Sequence, residues 1–126
     1  MPSEKPARRL EDIVENAQAA LRYTAGMDEV AFEENRLVYD AVERCLERIS
    51  EAAAKLGELA PALVPDQPWR DIRALGNRLR HEYDDISQDR LWDIVQTDLP
   101  SLSAACEDAL RQLREAGPVS DGPEGL

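Results

Sequence analysis

Residues 69–86 read WRDIRALGNRLRHEYDDI. Within them Ile72, Leu75, Leu79, Tyr83 and Ile86 recur at steps of three or four, the spacing that aligns side chains on one face of an α-helix. Arg73, Asn77 and His81 step by four and form a second, polar stripe. The stretch therefore predicts an amphipathic helix that starts after Pro68, whose missing amide suits a first turn, and runs to about Tyr83 or Asp84. It carries the single histidine of the chain, and Ile72 to His81 contains no carboxylate although acidic residues outnumber basic ones 26 to 15. A helix that is apolar on one side and cationic on the other has a packing face and a face for a ligand.

The same periodicity extends outward. Leu10, Ile13, Val14, Ala17 and Leu21 mark a first helix from Pro6 or Ala7 to about Thr24, followed by Gly26, where a left-handed residue commonly ends a helix. Asp28 is a natural N-cap for a short helix to Glu33, with Phe32 turned inward. Val38, Val42, Cys45, Ile49, Ala53 and Leu56 define the longest helix, about Glu34 to Leu59. On its outer side Asp40 faces Arg44 and Glu51 faces Lys55, surface pairs worth about 0.2–0.5 kcal/mol each. Pro61, Pro65 and Pro68 then exclude a continuous helix and mark the main loop. Beyond residue 86, Ser87 reads as the N-cap of a helix to Gln96, with Leu91, Trp92 and Val95 inward. Thr97 reads as the cap of a last helix, which tolerates Pro100 in its first turn and turns Leu99, Leu102, Cys106, Leu110 and Leu113 inward. The Gly- and Pro-rich end, AGPVSDGPEGL, predicts a disordered tail over 116–126 behind a single domain of residues 1–115.

The class that follows is all-α, an up-and-down bundle of four main helices plus short ones. A formal charge of −11 argues against broad nucleic-acid binding, because releasing counterions from a polyanion needs a basic surface, so an anionic ligand would be met locally. Cys45 and Cys106 fall on apolar stripes without a second ligand at metal spacing and read as core residues. No apolar run is long enough for a signal peptide or membrane span, which makes a cytoplasmic location the expectation.

On a continuous helix, Asn77 and His81 stand one above the other and Arg73 lies one turn earlier. Imidazole moves protons near neutral pH, a carboxamide orients a hydroxyl or a phosphate oxygen, and guanidinium stabilises developing negative charge. RNA brings its own nucleophile, the 2′-hydroxyl, so such a set can cleave a phosphodiester without a metal. A plainer reading stands beside this one: His81 caps a helix dipole, Arg78 and Arg80 are solvated, and Tyr83 continues the apolar stripe. Gly76 is unusual in either reading, since a mid-helix glycine costs about 1 kcal/mol and implies that another backbone, a helix or a ligand comes close there.

At GNRLRHEYDDI the sequence resembles the HepT-like branch of the HEPN superfamily, small all-helical proteins that include many ribonuclease toxins. Asn77, His81 and Tyr83 fit that family's Arg-Asn, three residues, His, any residue, Tyr. Trp69, Arg70, Ile72, Ile86, Leu91, Trp92, Ile94, Asp98, Leu99, Pro100 and the upstream AVERCLERISEAAAKL also resemble its consensus, over roughly residues 7–114. The resemblance implies a homodimer with two motif helices across a cleft and an endoribonuclease toxin acting on RNA. Together with the carboxylate-free run, the motif makes His81 and Asn77 the expected catalytic residues, with Arg73, Arg78 or Arg80 binding phosphate. It implies no cofactor and no metal. It also implies a minimal nucleotidyltransferase antitoxin that silences the toxin by transferring AMP to the motif tyrosine, here Tyr83. The chain departs from the motif at Gly76, which stands where the family has its arginine. Two consequences are open: another arginine takes its place, or the chain is a catalytically inactive subunit that docks a nucleotidyltransferase or a nucleotide.

Overall fold

The fold is all-α and is organised around its central helix, α3 (Arg36–Leu56), which packs against α1 (Pro6–Tyr23) on one side and α5 (Trp69–Arg80) on the other. The computed structural model describes residues 5–81 and 88–125, with side chains to Ala116 apart from those of Gln88 and Asp89. Because α3 meets two helices, its buried face is wider than one stripe. Tyr39, Leu46, Ser50 and Ala52 are buried along with the expected Val42, Cys45, Ile49, Ala53 and Leu56. The remaining elements are α2 (Glu29–Glu34), α4 (Leu59–Leu63), α6 (Gln88–Asp93), a π-helical turn (Ile94–Asp98) and α7 (Leu99–Gly125). The long helices stand in the order α5, α3, α1, α7, with Leu10, Ile13, Ala17, Val42, Leu56, Leu91, Val95 and Cys106 in the core. Among the described residues, no helix is long and apolar enough to cross a membrane.

Caps fix the boundaries. The Asp28 carboxylate accepts from Ala31 N at 2.8 Å, and the Asn35 amide oxygen accepts from Val38 N at 3.1 Å, so α3 starts at Arg36 instead of running on from Glu34. Gly26, with φ of 80°, takes the left-handed conformation expected of it. Phe32 is fully buried, its ring 5.4 Å from those of both Tyr39 and Trp92. Pro61 lies in the first turn of α4, where its missing donor costs nothing.

Two expectations meet a different structure. Asp40 pairs with Arg36 at 3.0 Å, while Arg44 pairs with Glu47 at 3.0 Å, because each guanidinium reaches a carboxylate elsewhere on the same face. Thr97 does not cap a new helix: α6 continues through the π-helical turn into α7, with Asp93 and Leu99 both in α-helical backbone. Pro100 offers no amide to the preceding turn, and the wider winding, closed by Leu99 N donating to Ile94 O, carries the chain past it. The backbone of α7 runs to Gly125. The Ser87 cap and the end of the expected motif helix, Tyr83 included, lie outside the described residues.

Both cysteines are buried, and burial pushes the Cys106 thiol up to about 12. The folded chain holds that proton until pH approaches about 12, whereas an ordinary thiol loses it near 9.0, so raising the pH through this window favours the unfolded chain. We expect Cys106 to resist thiol reagents at pH 8 and to be labelled only as fast as the protein opens, which timed labelling with and without urea measures.

Candidate functional site

The site is built on α5, and α5 is set by two anchors. Trp69 is 4% exposed and its indole N–H donates to the Val64 carbonyl at 2.7 Å, tying the proline-rich loop to the helix start. Ile72, Leu75 and Leu79 are half-buried against the core, as their stripe predicts. The second anchor is Ser50 of α3. Its Oγ donates to the Arg73 carbonyl at 2.9 Å and accepts from Gly76 N at 3.1 Å, so one hydroxyl fastens two positions of the α5 backbone. A Cβ at position 76 would lie 2.4 Å from Ser50 Oγ and 2.8 Å from Ser50 Cβ. Glycine is required there by the close approach of a helix, which is the packing that a mid-helix glycine implies.

The polar residues divide between two flanks. Asn77 and Arg80 are exposed and joined: Arg80 Nη2 donates to Asn77 Oδ1 at 2.9 Å. Arg73 is exposed and precedes Asn77 by one turn on that flank. Arg78 lies on the other flank, lining a groove of about 580 Å³ between α5 and the π-turn and start of α7. The floor of the groove is apolar, with Leu46, Ile49, Leu75 and Ile94, and its rim carries both signs, Arg78 and Arg90 with Asp66, Asp71 and Asp98. The three candidate cations are thus divided, Arg73 and Arg80 beside Asn77 and Arg78 across the helix.

The helix also ends sooner than its periodicity predicts. His81 is the C-cap of α5, with φ of −106° and ψ of 103°, and is exposed. Its backbone leaves the helical conformation, so helical spacing alone no longer fixes it above Asn77. Arg80, three positions on, hydrogen-bonds Asn77. The carbonyl end of a helix is electronegative, and Arg78 and Arg80 in its last turn offset that field where an anion would otherwise be repelled. Ser50 and the groove were not legible as site components, because their partners on α5 are 23 and more residues away and no local spacing announces them. Among the described residues, no group of three His, Cys, Asp or Glu side chains is placed to hold a metal ion.

The family follows from comparison: residues 13–109 match the model of the ribonuclease HepT-like family, and the chain belongs to it. A Methanocaldococcus jannaschii protein named as a candidate RNase, MJ1380, is 34% identical over 98 residues, covering 78% of this chain and 90% of its own length. The probable ribonuclease HepT of Thermococcus cleftensis is 33% identical over 101 residues, covering 78% of this chain and 89% of its own. A second M. jannaschii protein named as a candidate RNase, MJ0127, is 30% identical over 113 residues, 90% of this chain and 93% of its own. No solved structure matches the chain significantly.

Proposed function

We propose that this protein is a metal-independent endoribonuclease of toxin–antitoxin type, acting in the cytoplasm. The observation that carries this reading is the end of α5, where the paired Asn77 and Arg80 and the next residue, His81, lie on a carboxylate-free stretch of a chain from a ribonuclease family. His81 takes the proton from an RNA 2′-hydroxyl as that oxygen attacks the adjacent phosphorus. The bond to the 5′-oxygen breaks, a proton returns to that leaving oxygen, and the products are a 2′,3′-cyclic phosphate and a 5′-hydroxyl. Arginine side chains hold the phosphate as charge builds on its free oxygens.

The working unit in this reading is a homodimer. The open groove beside α5, with its apolar floor, gives a second copy a surface to close on. A minimal nucleotidyltransferase is the antitoxin, and AMP on Tyr83 would place charge and bulk beside His81 and exclude a substrate phosphate.

A second reading is favoured by one observation. Ser50 fills the space at position 76, where the resembled motif has its arginine, as it would in a silent subunit that docks a nucleotidyltransferase. Incubating the purified protein with tRNA and mRNA in EDTA separates the two. The nuclease reading predicts shortened RNA without divalent metal, and growth arrest on expression that the nucleotidyltransferase relieves. Intact RNA and unimpaired growth would instead support the silent subunit.

A further inference from the structure

We propose that Arg80 is the phosphate-binding guanidinium of this site and that Asn77 is its positioning residue, acting through Arg80 and not on the substrate. This rests on the nuclease reading for its consequence in catalysis, but the pairing itself comes from geometry. Asn77 Oδ1 accepts from Arg80 Nη2 at 2.9 Å, which holds the planar fork at one end and leaves its other donors to a phosphate. Arg80 Nη1 lies 3.4 Å from the point where a Cβ of residue 76 would stand. The guanidinium therefore folds back along α5 over its one glycine, and any side chain at position 76 would crowd it. Gly76 thus serves two neighbours, Ser50 from α3 on the inner side and Arg80 from the next turn.

The other arginines lack this arrangement. Arg78 lines the groove on the opposite flank, among Asp66, Asp71 and Asp98, whose charge opposes an incoming phosphate. Arg73 lies farther from the end of the helix, where His81 stands. Arg80 immediately precedes His81, so the held cation and the proton-transfer group share one helix end. A guanidinium already fixed by a neighbour loses less freedom when it binds phosphate, which is what a positioning residue contributes.

A double-mutant cycle tests the assignment. The probe is a 2′-O-methyl RNA oligonucleotide, which cannot be cleaved through its 2′-oxygen, followed by fluorescence anisotropy at fixed low salt. Cleavage of the unmodified RNA in a single turnover is measured in parallel, and thermal melting checks that each variant is folded. Arg80→Ala is expected to weaken binding about 10-fold and slow cleavage on the order of 10²-fold. Asn77→Ala is expected to move both in the same direction by less, and Asn77→Ala/Arg80→Ala to match Arg80→Ala alone. Arg80→Lys, which supplies charge without the fork, is expected to recover binding more than rate. Asn77→Ala combined with Arg78→Ala is expected to multiply the two single effects.

Multiplication in the Asn77/Arg80 pair, or binding unaffected by Arg80→Ala, would overturn the proposal, as would a wild-type protein that does not bind the oligonucleotide. A wild-type protein that binds but does not cleave would sink the nuclease reading alone. The binding cycle would then still decide whether Asn77 acts through Arg80.

Discussion

Gly76→Arg, which would write the family's motif arginine into this chain, is expected to destabilise the protein by more than about 3 kcal/mol and to add no cleavage activity. The first atom of the new side chain is enough to cause the damage. A Cβ 2.4 Å from Ser50 Oγ forces α3 and α5 apart and breaks the two hydrogen bonds that Ser50 makes to the α5 backbone. Overpacking of this kind costs about 1–3 kcal/mol, and each buried polar group left unpaired adds about 1–3 kcal/mol. Gly76→Ala should therefore already cost about 2 kcal/mol, against the roughly 1 kcal/mol gain that alanine brings to an open helix. Pairing it with Ser50→Gly removes both serine atoms from the contact and should recover part of the loss. Urea unfolding of the four proteins measures this. A Gly76→Ala variant as stable as wild type would show that the helices do not meet as described.

The other large effect concerns His81. His81→Ala is expected to slow RNA cleavage by about 10²–10⁴-fold, the usual contribution of a positioned acid or base, while leaving stability close to wild type. The separation of the two effects follows from position: His81 is exposed and lies beyond the last turn of α5. Single-turnover cleavage with enzyme in excess gives the rate, and a melting curve of the same preparation shows whether the fold is intact. Loss of rate with loss of folding would not qualify.

Much of the fold was legible because its signals are local. The stripes on α1, α3 and α7, the Asp28 cap and the left-handed Gly26 each depend on residues within a turn or two of one another, and each appears where the spacing places it. What was not legible depends on partners far along the chain or on where a helix stops. Thr97 and Pro100 together have the pattern of a helix start, yet buried Ile94, Val95 and Leu99 keep the chain helical, and a wider turn absorbs the proline. The unusual glycine was visible in the sequence, but Ser50, the reason for it, is 26 residues away.

The candidate site shows the same division. Asn77, Arg80 and His81 could be picked out by type, and the local positive charge by the missing carboxylates. Their mutual geometry could not, because both i,i+3 and i,i+4 neighbours share a helix face, and only the structure shows Arg80, three positions on, bonded to Asn77. Arg78, equivalent to Arg80 in composition, is separated from it by the helix itself.

Whether the end of α5 cuts RNA through the substrate's own 2′-hydroxyl is decided by cleavage in EDTA of one oligonucleotide in all-RNA form and in a form with 2′-deoxyribose at the cut position, by wild type and by His81→Ala. Wild type is expected to cut only the all-RNA strand, leaving a 2′,3′-cyclic phosphate, and His81→Ala to leave both strands whole over the same time. Equal cutting of the two strands, or equal cutting by the two proteins, would contradict this route.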